Sequence, residues 1–159
     1  MDFFNQTGKL AIGSRLRMLT DKITVDAAAI YKMFGVDLKP KWFPVFFVLS
    51  RGEAKTITSI AKEIGHSHPS VSNIIKEMVA KGLVKETKDK SDGRRNMVMF
   101  SAKGKRMSDS FSEQCIDVTA AIEQITQQTR NDLWEAIEEW ENLLLDKSLL
   151  ERVKEAKKE

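Results

Sequence analysis

The chain has 159 residues, a size that fits one domain or a small domain with an extension. Apolar residues make up 42% and charged residues 31%, which is enough apolar material for a core and excludes a disordered tail. One cysteine, Cys115, excludes an intrachain disulfide and any site of several thiolates, and no apolar run approaches the roughly 20 residues of a membrane helix.

The start, Met1-Asp2-Phe3-Phe4-Asn5, lacks the basic and apolar segments of a signal peptide, so the expectation is a soluble, cytoplasmic protein with no membrane partner. The formal net charge is only +3, but it is unevenly spread. Residues 76–106 carry 10 basic and 4 acidic groups, net +6, whereas residues 107–146 carry 1 and 10, net −9. Solvated helix surface is the plain reading of such runs; two faces with different partners is the sharper one.

Residues 10–34 place Ile12, Leu16, Leu19, Ile23, Ala27, Ile30 and Phe34 at alternating spacings of four and three, which predicts an amphipathic helix ended by Gly35-Val36-Asp37. Pro40 opens a short apolar segment, Trp42 to Leu49, in which Pro44 fits only a first turn. Its aromatics Trp42, Phe43, Phe46 and Phe47 read as core. Thr56 to Ile64 predicts a short helix stopped by Gly65, with Ile57, Ile60, Ala61 and Ile64 on one face. Ser67 is an N-cap for the next helix, with Pro69 in its first turn. That helix runs to about Lys81, buries Val71, Ile74, Ile75, Met78 and Val79, and ends at Gly82 as C′.

The period then changes. The runs 83–87 and 96–100 are strand-like, and Lys88-Asp89-Lys90-Ser91-Asp92-Gly93-Arg94-Arg95 joins them, predicting a two-stranded hairpin with a basic tip. From Lys103 the chain is helical. One stripe is Phe111, Cys115, Val118, Ile122 and Ile125; after Gln127-Gln128-Thr129 another is Leu133, Ile137, Trp140 and Leu144. The small helix–hairpin unit cannot bury either stripe.

Helix, tight turn, helix and basic hairpin form a winged helix-turn-helix pattern. The first helix braces a second that enters the major groove, about 12 Å wide. Small and polar residues at the second helix's start, His68, Pro69, Ser70, Ser72 and Asn73, with Lys76 a turn on, leave the backbone close to base edges. Asn pairs two-fold with adenine, and Ser bonds bases or phosphates. Arg94 and Arg95 reach a flank where a narrow minor groove favours guanidinium, and Lys88, Lys90, Lys103, Lys105 and Arg106 can neutralise phosphates.

In these residues the sequence resembles the MarR family of bacterial transcription regulators. The wing signature of that family, Asp-x-Arg, three residues, aliphatic, one residue, aliphatic, Thr, two residues, Gly, reads here Asp92-Gly93-Arg94, then Val98, Phe100, Ser101 and Gly104, with Phe and Ser as mild departures. The fragments 58–65, 70–75 and 81–84 also resemble the family, and the register holds from about 10 to 146. The segment 39–46 resembles a branch fused to an N-acetyltransferase; the chain stops at Glu159, so that catalytic domain is expected to be absent.

The resemblance implies a mainly α fold with a small β-hairpin wing: a single MarR-like domain over 1–159, with a winged-helix lobe at 39–101 and interlocking dimerisation helices at 10–35 and 103–156. It implies that Ser70, Ser72 and Asn73 lie in the major groove, that Arg94 is the wing arginine, and that Asp92 braces it. It further implies a homodimeric, sequence-specific repressor on a pseudo-palindromic operator, with Ile12, Leu16, Leu133, Ile137, Trp140 and Leu144 at the two-fold interface. Relatives release DNA on binding small aromatic or anionic ligands, for which Arg15, Tyr31, Trp42 and Phe46 are candidates; core packing is the plain alternative.

Cys115 reads as a small buried hydrophobe rather than a redox switch. His66 and His68 lack the partners of a zinc site. With no nucleophile–base pair, phosphate-cradling loop or metal set, no enzyme activity and no cofactor are expected. The alternative function is a winged-helix protein-interaction module, or a regulatory component associated with an acetyltransferase.

Overall fold

The 3.6-residue stripe of residues 10–34 becomes a 22-residue helix in the computed structural model, which describes residues 3–88 and 96–157. A short helix α1 (Phe3–Thr7) and a 3-10 turn (Gly8–Ala11) precede it as α2 (Ile12–Met33). Its stripe is graded: Ile12, Leu16, Leu19 and Ile23 are exposed, Ala27, Ile30 and Phe34 half-buried, and Tyr31 buried. The helix stops where the Gly35 N–H donates to Lys32 O (3.1 Å) and the Val36 N–H to Tyr31 O (2.8 Å). This paired bonding satisfies carbonyls that a helix end otherwise leaves open.

A 3-10 turn (Pro40–Trp42) leads into α3 (Phe43–Ser50), with Pro44 in its first turn. Trp42, Val45, Phe46 and Leu49 are fully buried, but Phe43 (40% exposed) and Phe47 (42%) are not core. The segment is apolar all round, so its period could not say which face turns inward. Phe43 and Phe47, one turn apart, stack on each other at 5.8 Å on the outer face.

After α4 (Ile57–Glu63) and α5 (His68–Ala80) come β2 (Val84–Lys88) and β3 (Asn96–Phe100), with β1 (Lys55–Thr56) just before α4. The sheet therefore has three antiparallel strands in the order β1-β3-β2, not the two expected. Lys55 pairs with Val98 and Thr56 with Met97. A two-residue strand is too short to show an alternating pattern, and Thr56 also caps α4, so its sequence reads as a helix start. Val79 was expected in the core and is 40% exposed. At about 100° per residue it falls about 80° from Val71, at the edge of the stripe that Ile74, Ile75 and Met78 continue.

Contacts divide the chain into two units, Met1–Gln114 and Cys115–Glu159. In the first, Phe46 is central, its ring 4.7 Å from Phe100 and 4.9 Å from Phe111. Helix α6 (Ala102–Gln128) begins in this unit under a tight constraint. A Cβ on Gly104 would lie 2.1 Å from Leu83 O and 2.9 Å from the Phe100 ring. The second unit holds the rest of α6, then α7 (Leu133–Asp146) and α8 (Leu149–Ala156). The break between α7 and α8 was not read from the sequence, although Ser148 and Glu151 form a full capping box. The Arg152 guanidinium donates to Leu143 O (2.8 Å) and folds α8 back on the end of α7, with a Lys147–Glu155 ion pair beside it. No described residue from 115 onward is buried.

Because the atom facing Gly104 is backbone, Gly104→Ala cannot be relieved by a rotamer change. We expect a loss of about 1–3 kcal/mol, the range for overpacking a tight contact, measured by denaturant unfolding; an unchanged midpoint would contradict the close approach.

Candidate nucleic-acid interface

Helix α4 starts on Thr56, whose hydroxyl accepts from the Ser59 N–H (3.1 Å). It ends at Gly65 (φ +66°), a left-handed conformation that glycine adopts without penalty, and the His66 N–H returns to Ala61 O (3.0 Å). One residue later the Ser67 hydroxyl accepts from the Ser70 N–H (3.4 Å) and opens α5, with Pro69 in the first turn. Three residues thus carry the chain from one helix to the next with both ends capped. The direction of α5 is set by this turn and by Val71, Ile74, Ile75 and Met78, all buried.

The opposite face of α5 exposes His68, Pro69, Ser70, Asn73 and Lys76, with Ser72 half-buried. These are the six residues that the sequence assigned to base and phosphate contact, and the structure brings them onto one helix and one outward surface. At the far end of α5, the Gly82 N–H donates to Val79 O (2.8 Å) and the Leu83 N–H to Met78 O (2.9 Å). The chain then enters β2 directly.

Strand β2 pairs with β3 from Val84–Phe100 out to Lys88–Asn96. Lys88 is exposed at the outer end of this ladder. Lys90, Asp92, Arg94 and Arg95 lie outside the described residues. Of the other cations named from sequence, Lys103 donates to Lys81 O (3.0 Å), and Lys105 and Arg106 are exposed on α6.

Sequence reasoning passed over Glu77. It follows Asn73 by four residues on α5, and three donors converge on its carboxylate: Lys41 Nζ (2.6 Å), Lys39 Nζ (3.1 Å) and the Trp42 indole N–H (3.0 Å). Lys39 also lies over the Trp42 ring, 5.0 Å from its centre. The two ammonium groups, Lys41 foremost, together with the indole N–H hold the Glu77 carboxyl down at about 2, against a smaller upward push from partial burial. A cleft of about 360 Å³ opens beside this cluster, lined by Pro40, Lys41, Pro44, His66, Ser70, Asn73, Ile74 and Glu77. Its signal in the sequence was the spacing of Ser70, Asn73 and Glu77 along one helix face.

This capped helix pair, followed by a β-ladder packed on the same core, is also what comparison with known proteins returns. Residues 36–95 are a MarR-family segment. The whole fold is similar to solved MarR-type regulators. The transcriptional repressor CouR, solved on a 23-mer DNA duplex, is 20% identical with a TM-score of 0.64, covering 87% of this chain and 96% of that one. PcaV from Streptomyces coelicolor, solved with its natural ligand, is 12% identical with a TM-score of 0.63, covering 86% and 92%. The adhesin competence repressor AdcR from Streptococcus pyogenes is 18% identical with a TM-score of 0.60, covering 84% and 95%. Among curated proteins none matches.

Within the MarR-like fold the other expected residues fall as follows. Trp42 and Phe46 are fully buried and Tyr31 is buried, whereas Arg15 is exposed with its guanidinium 5.5 Å from the Phe4 ring centre. The cleft beside α5 is lined by none of the four. In the first unit Ile12 and Leu16 are 40% and 43% exposed; in the second, Leu133, Ile137, Trp140 and Leu144 are 39–53% exposed. Cys115 is half-buried, and burial pushes its thiol pKa up, away from the reactive thiolate. Among the described residues no three His, Cys, Asp or Glu side chains are grouped to hold a metal ion, and no helix is long and apolar enough to cross a membrane.

A carboxyl whose pKa is lowered on folding stabilises the fold above its ordinary value and stops doing so as protons reach it. The contribution of Glu77 should be complete above about pH 4.5 and lost as pH falls towards about 2. Thermal melts across this window should show Glu77→Gln less stable than wild type at neutral pH, with the gap closing in acid. A gap independent of pH would mean that the ion cluster does not form.

Proposed function

We propose that the protein is a sequence-specific DNA-binding transcription regulator, a homodimeric repressor acting on a pseudo-palindromic operator. The observation that carries this reading is the outward face of α5: small and polar residues on a helix whose opposite side is wholly core, beside a ladder that leads into a basic tip. An α-helix of 10–12 Å diameter fits the major groove, and Ser70, Ser72 and Asn73 are short enough to let its backbone approach base edges. Lys76 and the wing residues Lys88, Lys90, Arg94 and Arg95 supply phosphate and minor-groove contacts, with Asp92 bracing the tip.

The dimer rests on exposed apolar residues. Ile12 and Leu16 on α2, and Leu133, Ile137, Trp140 and Leu144 on α7, stand in helix stripes that a single chain leaves open to water, and burial of such stripes is the usual source of helix stability. Two copies related by a two-fold axis present two recognition helices to two half-sites. The helices 10–35 and 103–156 are accordingly the dimerisation elements of one MarR-like domain, and the lobe 39–101 is its DNA reader. A small aromatic or anionic effector belongs to the same reading, supported by PcaV having been solved with its natural ligand. The protein performs no chemistry of its own in this reading and works in the cytoplasm.

Salt-titrated binding to duplex DNA tests the core of it. Log affinity should fall linearly with log salt, and Lys76→Ala or Arg94→Ala should each flatten the slope by about 0.9, the value for one lost phosphate contact. Asn73→Ala should instead relax base preference, read by selection from random duplexes. Absence of salt-dependent affinity would overturn the proposal.

The dimer has its own test. Light scattering should give twice the 18.1 kDa chain mass for wild type and the monomer mass for Leu16→Glu or Trp140→Glu, with operator binding lost alongside.

A further inference from the structure

The Glu77 cluster has no part in the contacts assigned so far, yet it borders them. Ser70 and Asn73 on α5 form one wall of the cleft, Pro40, Lys41 and Pro44 form the other, and His66 closes the end nearest the helix start. A helix lying in the major groove nearly fills it, so whatever stands immediately beside that helix meets the phosphate ridge at the groove's edge. The elements beside α5 on this side are the 3-10 turn and the first turn of α3, and they bring Lys39 and Lys41 there.

Both lysines are about half exposed, at 53% and 56% of their side chains. An ammonium carries three protons, and Glu77 takes one from each lysine, which leaves donors directed outward. A bare carboxylate at this place would repel the ridge. Two cations on one anion leave a local charge of +1 and fix long side chains that would otherwise lose rotamer freedom on binding.

We propose that Lys41, with Lys39 and His66, forms a phosphate-binding flank for duplex DNA across the cleft from Ser70 and Asn73, and that Glu77 positions its two lysines. The flank rests on the DNA-binding reading above and extends the interface beyond the recognition helix and wing. Its ligand is a backbone phosphodiester, so it adds affinity and orientation without base preference.

The decisive variant is Lys41→Gln, which keeps an N–H for Glu77 and removes the charge. Fluorescence anisotropy with a mixed-sequence DNA duplex, repeated over a salt series, should show the log–log slope flattened by about 0.9, and Lys41→Arg should restore it. Base preference in selection from random duplexes should be unchanged, and the thermal midpoint should report that the variant is folded. Should Lys41→Gln not fold, Lys39→Gln carries the same expectation. If Lys76→Ala flattens the slope and folded Lys41→Gln does not, the flank is wrong and the regulator reading stands. If wild type shows no salt-dependent binding, both fall together.

Discussion

The lobe depends on one close approach of backbone to backbone, where the end of α5 meets the start of α6. Leu83 O accepts from the Ser101 N–H (2.9 Å), Gly82 O accepts from the Ser101 hydroxyl (2.6 Å), and the same hydroxyl accepts from the Gly104 N–H (3.1 Å). Only a residue without a Cβ fits at 104, because Leu83 O occupies that position. Leu83 also closes α5 through its bond to Met78 O, and its neighbour Val84 pairs with Phe100. Recognition helix, wing base and α6 are thus joined through four residues. A wing anchored there cannot drift relative to the helix beside it, which a two-point reader of DNA requires.

The same junction explains why the departures from the family pattern are mild. Ser101 stands where the pattern has Thr, but both bonds use the hydroxyl oxygen, so only a methyl is lost. Phe100 stands where the pattern has an aliphatic residue; its ring reaches Phe46 and adds aromatic contact to the core. Resemblance to a motif and the physical need for it coincide at these positions.

Much of this was legible because local chemistry and tertiary need agree. Gly35, Gly65 and Gly82 end the helices that the spacing predicts, Ser67 caps α5, and its inward stripe is buried apart from Val79. Legibility failed where a segment carries no period or too short a one. Residues 43–47 are apolar on every side, so Phe43 and Phe47 could be placed only by seeing what α3 packs against. Strand β1 is two residues that already serve as a helix start. Glu77 was hidden for another reason: its partners Lys39, Lys41 and Trp42 are 35 to 38 residues away, and nothing in its own neighbourhood marks a carboxylate on a DNA-facing stripe.

Charge counted along the chain is therefore a poor map of charge in space. Glu77 lowers the tally of residues 76–106 by one, yet its compensation comes from Lys39 and Lys41, which are counted with residues 1–75. Within the basic segment, Lys81 faces Asp37 (3.4 Å) and Lys103 serves the Lys81 carbonyl, so neither is the unencumbered cation that a sum assumes. Exposed pairs of this kind add little to stability. Their consequence is positional: they withdraw some cations from the surface, hold others beside α5, and remove the one acidic repulsion that would oppose a phosphate ridge there. The net +6 of the segment and the basic face of the lobe are different quantities, and the second is set by which lysines Glu77 collects.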